Sequence, residues 1–102
     1  MTQIQQGELL RIEGVKPDVL VLSKDFFNQT GFAVVCPVLS EGRSGALNIA
    51  VSAENFSGIA HLENRKSMDL KVRHYKTIGQ LSYKQIQNIS DAVQGIFDYY
   101  PY

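Results

Sequence analysis

The amino-acid sequence predicts a mainly β fold, in which a small, strongly bent antiparallel sheet is closed by one C-terminal helix. Two observations carry that prediction. Short Val- and Leu-rich segments recur at regular spacing between Gly, Asn, Ser and Pro, and only the last part of the chain places its apolar residues three and four apart. A chain of 102 residues makes a single domain, 1–102, with one modest core.

Met1 to Gln6 is polar and rich in Gln, and is expected to fray. Gly7 opens a first strand, Glu8 to Glu13, in which Leu10 and Ile12 alternate with Arg11 and Glu13 before Gly14 turns the chain. The stretch from Lys16 to Ser40 organises everything else. Its outer pieces, 16–23 and 32–40, are nearly unbroken apolar runs of strand length, which predicts two neighbouring antiparallel strands buried on both faces at the centre of the sheet. Between them, Asp25, Asn28 and Gly31 predict a short helical turn, with Phe26 and Phe27 plugging one end of the core.

The Gly/Ser-rich segment Glu41 to Gly45 is read as an exposed turn. A fourth strand, Ala46 to Ser52, sets Leu47, Ile49 and Val51 on one face, and Phe56 in the next turn is expected to tuck back. A fifth strand, Gly58 to Asn64, sets Ile59, His61 and Glu63 on one side and Ala60, Leu62 and Asn64 on the other. The basic stretch Arg65 to Arg73 follows, and His74 to Ile78 gives a last strand, ended by Gly79 and Gln80. Ser82 and Gln85 then form a capping box, with Leu81 and Ile86 placed as a hydrophobic staple. Ile86, Ile89, Val93, Ile96 and Phe97 make one apolar helix stripe that must lie on the sheet. Tyr99, Tyr100 and Tyr102 crowd a tail closed by Pro101, either an interface or a segment docked on the chain's own barrel.

Ten basic residues balance ten acidic ones, so no global field recruits a nucleic acid and any such site is a local basic patch. A single Cys36 inside an apolar run excludes an internal disulfide and fits a reducing cytoplasm. No segment is long and apolar enough to span a membrane, and the N-terminus is unlike a signal peptide, so a cytoplasmic protein without membrane attachment is expected. The chain has no Gly-rich phosphate loop, no nucleophile elbow and no Cys or His pair at metal-ligand spacing; neither cofactor nor metal is expected.

The order X-Pro, apolar strand, Asn28-X-X-Gly31, strand, Cys36-Pro37-Val38-X-Ser40 resembles the MazF/PemK (Kid, ChpB) family of type II toxins, and weaker matches run through Gly58, Ser67 to Lys71, Arg73 and Ile78-Gly79. The resemblance covers nearly the whole chain and is carried mainly by apolar, structural positions. It implies an SH3-like barrel of the CcdB/PemK type, a twofold homodimer, a cognate antitoxin, and ribosome-independent, metal-independent endoribonuclease activity on single-stranded mRNA. By alignment, His61 and Glu63 fall where Kid-like members carry an Arg and an Asp implicated in catalysis, and Lys16 falls where most carry an Arg. Leu39 stands where the family usually has Thr, with Ser40 the nearest hydroxyl. The long loop that in the family follows the first strand is reduced here to Gly14 and Val15.

Metal-free RNA cleavage needs one group to take the 2′-hydroxyl proton, one to protonate the leaving 5′-oxygen, and a cation for the phosphorane. The resemblance assigns Glu63 as base, His61 as acid or phosphate ligand, and Lys16 as cation, with the first two roles exchangeable. Ser40, Arg43, Arg65, Lys66, Lys71 and Arg73 are the expected RNA contacts. The rival is a catalytically degenerate or CcdB-like toxin that binds a protein such as gyrase and cleaves no RNA.

Overall fold

The computed structural model describes residues 4–42, 47–54 and 56–97, with the side chains of Phe26, Ile96 and Phe97 outside that description. Among the described residues, seven strands run as β1 (Glu8–Ile12), β2 (Val19–Val21), β3 (Phe32–Leu39), β4 (Asn48–Ala53), β5 (Phe56–His61), β6 (Lys66–Asp69) and β7 (Tyr75–Gln80). A short helix α1 (Asp25–Asn28) joins β2 to β3, and α2 (Tyr83–Phe97) ends the fold. The strand order is β4-β5-β3-β2-β1-β7, with β6 also beside β3, and every pairing is antiparallel.

The central position of β2 and β3 follows from their apolar runs. Alternate residues of β3 enter two different cores: Ala33 and Val35 pack with Leu10, Val21, Met68 and Leu70, whereas Cys36 and Val38 pack with Leu9, Leu20, Ala60 and Leu62. The second core lies under α2, which contributes Ile89, and Leu81 and Ile86 pack there as the staple spacing predicts. A curled sheet with something apolar on each face of its middle strands is the predicted bent barrel. Deep burial also pushes the Cys36 thiol up to about 12.

Several expectations are corrected. The N-terminus does not fray as far as Gln6, because Ile4 is buried in the first core and Gln6 donates from Nε2 to the Leu22 carbonyl at 2.9 Å. Phe27 does not plug the core, being 39% exposed, and the Phe26 side chain lies outside the described residues; Asn28 of α1 is buried, and its Nδ2 donates to the carbonyls of Ile4 and Ser23, both at 3.1 Å. Gly79 and Gln80 continue β7 rather than ending it. A register shift opposite Leu9 and Leu10 admits Gly79, and a methyl group there would meet Leu9 Cδ1 at 3.1 Å. Ala46 and the tail 98–102 lie outside the described residues.

The predicted fifth strand is interrupted, and this matters most for the site. Ala60 pairs with Val38 and Lys66 pairs with Val35, so six steps along one side of the ladder face three along β3. The surplus is taken up by a single 3₁₀ turn, Leu62–Asn64. Leu62 drops fully into the second core while Glu63 and Asn64 are exposed.

Candidate functional site

A groove of about 590 Å³ lies over the end of β3. Its floor is Val38, Leu39 and Ser40, one wall is Lys16, Pro17 and Asp18 at the approach to β2, and the other is Phe56 and Ser57 at the start of β5. An adjoining depression of about 360 Å³ shares Ser40 and Ser57 and continues over Ile59 and Ala50. Register explains the continuity: Leu39, Ile59 and Ala50 are directly opposite one another across three strands, as are Ser57 and Ser52 across two, so all point to one face. The structure therefore brings Lys16 and Ser40 together, with Leu39 between them, 37% exposed.

Sequence reasoning missed Asp18. It sits opposite Arg11, the next pair after Leu10 and Val19, and Arg11 grips its carboxylate with Nε on Oδ1 at 3.1 Å and Nη2 on Oδ2 at 3.0 Å. The hydrogen bonds and the charge of Asp18 raise the Arg11 guanidinium further above its ordinary range. The Asp18 carbonyl also accepts from the Val38 amide at 2.9 Å, which ties this wall to the floor. Its signal in the sequence is only that a charged residue interrupts an apolar run directly after Lys16-Pro17.

His61 and Glu63 do not share a strand face. His61 is the last residue of β5, on the same side as Ile59, whereas Glu63 is in the 3₁₀ turn and exposed. His61 is paired with Asn48 of β4, and His61 Nε2 and Asn48 Oδ1 are both buried without a hydrogen-bond partner among the described residues. Gly42 lies against His61; a methyl group on it would touch His61 Nε2 at 3.4 Å and Ile59 Cδ1 at 3.8 Å. After Ser40 the chain thus turns onto the face that carries the groove, and His61 lies beyond Ile59 at its far end.

The expected basic contacts are spread along β3 rather than gathered. Arg43 lies outside the described residues. Arg65 donates from Nη1 to the Leu62 carbonyl at 3.2 Å, bracing the 3₁₀ turn. Lys66 is exposed and faces Val35. Lys71 lies at the opposite end of β3, its Nζ 5.5 Å from the centre of the Phe32 ring. Phe32 and Leu39 are the two ends of the strand, which puts Lys71 roughly 20 Å from the groove at ~3.3 Å per residue, and the exposed Arg73 follows it in the same turn. Among the described residues, no three His, Cys, Asp or Glu side chains gather as a metal site, and no helix is long and apolar enough to cross a membrane.

The sequence pattern of the family described as PemK-like, MazF-like toxin of type II toxin-antitoxin system matches residues 11–97. A comparison with curated protein sequences finds no match. Among solved structures, the chain is similar to a MazE-MazF complex from Deinococcus radiodurans, with 19% identity, a TM-score of 0.82, and 95% of this chain and 98% of that one covered. MazF alone from the same organism gives 18% identity and a TM-score of 0.79 over 95% of this chain and 98% of that one. An endoribonuclease in complex with its cognate antitoxin from a mycobacterial species gives 14% identity and 0.79 over 96% and 99%. At these identities the structural likeness establishes the fold.

Proposed function

The chain belongs to the PemK-like, MazF-like toxins of type II toxin-antitoxin systems, and from that premise we propose that it is a metal-independent, sequence-selective endoribonuclease that cuts single-stranded mRNA. The observation that carries this reading is the groove in which Lys16 and Ser40 meet over the end of β3, open to a strand that runs on toward His61. A single strand suits such a surface, because its unstacked bases can lie against Leu39, Phe56 and Ile59 while polar groups hold its backbone.

In the reaction, the 2′-oxygen attacks phosphorus, its proton passes to a base, and the P–O5′ bond breaks as an acid protonates the 5′-oxygen. The products are a 2′,3′-cyclic phosphate and a 5′-hydroxyl. Lys16 stabilises the phosphorane charge, and the Ser40 hydroxyl donates where Leu39 cannot. His61 and Glu63 carry the protons, with a short movement of the Gly42 segment uncovering Nε2. Arg43, Arg65 and Lys66 hold phosphates nearby, and Lys71 and Arg73 hold those of flanking nucleotides. The protein acts as a homodimer and is held inactive by a cognate antitoxin in the cytoplasm.

The test is to incubate the purified protein with a long RNA, with and without EDTA, and map the ends. Discrete fragments with cyclic phosphates, insensitive to EDTA and lost in Lys16→Ala, are expected. Intact RNA under all conditions would leave a toxin that acts by binding alone.

A further inference from the structure

The groove holds a carboxylate where a polyanion is expected to lie. Asp18 is part of its wall beside Lys16, with 20% of its side chain exposed. A phosphate placed against Asp18 would be repelled, so the group facing Asp18 is a donor rather than an anion. The remaining surface combines apolar groups, with Pro17 and Phe56 on its two sides, and the polar groups of Lys16, Ser40 and Ser57, in a volume of about 590 Å³. That is room for a base and its sugar, with Lys16 left for the adjoining phosphate.

Resting on the nuclease reading, we propose that this groove is a nucleobase pocket in which Asp18 determines specificity, selecting a base that presents an exocyclic amino group over uracil. An ionised carboxylate only accepts hydrogen bonds, with about two sites on each oxygen. Arg11 fills one site on each oxygen and fixes the carboxylate plane, so each oxygen keeps a site for one N–H. Adenine and cytosine offer such an N–H from an amino group at the edge of the ring. Uracil offers a carbonyl oxygen there, which the carboxylate repels. Arg11 thus acts as a positioning residue, and Phe56 supplies an apolar surface for the base plane.

The experiment measures anisotropy of labelled 2′-O-methyl oligonucleotides, which lack the attacking hydroxyl, with the full chain at one fixed salt concentration. Oligomers of adenine and cytosine are expected to bind about tenfold more tightly than those of uracil. Purine-riboside oligomers, which keep the adenine ring but lose its amino group, should lose that advantage, which separates recognition from stacking without touching the protein. Asp18→Asn, whose carboxamide both donates and accepts, should bring the adenine-to-uracil ratio near one. Equal binding of adenine and purine oligomers, or an unchanged ratio in Asp18→Asn, overturns the proposal and leaves the nuclease reading standing. A parent chain that neither binds these oligomers nor cuts long RNA removes both. An Asp18-dependent affinity for an arginine-bearing peptide in place of RNA gives the pocket to a protein partner and likewise overturns it.

Discussion

Gln85 of α2 and Ser52 of β4 exchange two hydrogen bonds, the Ser52 amide donating to Gln85 Oε1 and Gln85 Nε2 donating to the Ser52 carbonyl, both at 2.9 Å. The carboxamide thus acts as one residue of an added strand on the open edge of the sheet. Ser82 still caps the helix, its Oγ accepting from the Gln85 amide and from Gln85 Nε2, both at 3.3 Å, but the Gln85 oxygen that would close the predicted capping box accepts from the Ser52 amide instead. Both bonds are exposed, so their joint contribution is set at the low end, about 1 kcal/mol. Gln85→Ala should lower unfolding stability by about that amount in urea titration. Gln85→Glu should lose as much or more, since it keeps one acceptor but sets a negative charge against the Ser52 carbonyl. A glutamate variant as stable as the parent would show that the pairing contributes nothing.

Gly7 is a position where glycine is required for two separate reasons. Its φ is +90°, and a methyl group there would lie 2.4 Å from Ile86 Cδ1. Gly7→Ala should therefore destabilise by more than about 2 kcal/mol, of which ~1–2 kcal/mol is backbone strain. The two causes separate in a double mutant: adding Gly7→Ala to Ile86→Ala removes the contacts with Ile86 and leaves the strain, with a further approach of 2.9 Å to Gln80 Nε2, the movable end of a side chain. The second step should cost less than in the parent but not vanish, as chemical denaturation of the four proteins would show.

Glu8 is buried, and desolvation raises its carboxyl above the ordinary 4.5 despite hydrogen bonds from the Gln5 backbone and with Thr77, with Asp25 adding repulsion. A folded-state value above the unfolded one means the folded form binds the proton more tightly. The stability tied to this group is fully present below pH 4.5 and is lost as pH rises through the folded value. Glu8→Gln should accordingly be more stable than the parent at pH 7, with the difference closing as pH falls below 4.5. A difference that does not change with pH would place the effect in packing instead.

How far the fold could be read in advance differs by residue. β2 and β3 were legible because burial on both faces demands unbroken apolar runs, and α2 because its period and cap coincide. The break after His61 was not legible, since Ala60 and Leu62 keep the alternation of a strand and both enter the second core. The interruption exists only in the register against β3, which no local pattern records. β6 was hidden for a related reason: Lys66-Ser67-Met68-Asp69 has one apolar side chain and is held through backbone pairing. At the site, Lys16 and Ser40 were recognisable by residue type. Asp18 was not, because its meaning depends on Phe56 and Ser57 arriving from a distant strand.

Leu39 is the departure from the family pattern that the groove exposes most directly. It ends β3 between Val38 and Ser40, is 37% exposed and lines the same groove as Lys16. Because so much of it already faces solvent, Leu39→Thr removes little apolar burial, and a β-branched residue suits the strand; the stability change should stay within about 1 kcal/mol. The added hydroxyl can donate to a phosphate oxygen or to the 2′-oxygen, a service that the proposed mechanism assigns to Ser40 in the parent. RNA cleavage by Leu39→Thr should therefore match or exceed the parent, whereas Leu39→Ala, with no donor, should gain nothing. Lys16→Ala in either background should lower the rate by roughly 10²-fold or more, the cost of removing a group that stabilises transition-state charge. Gel assays of the parent and these variants on one RNA decide the matter. If Leu39→Thr were slower than the parent, or Lys16→Ala as fast, the chemistry would not lie over the end of β3.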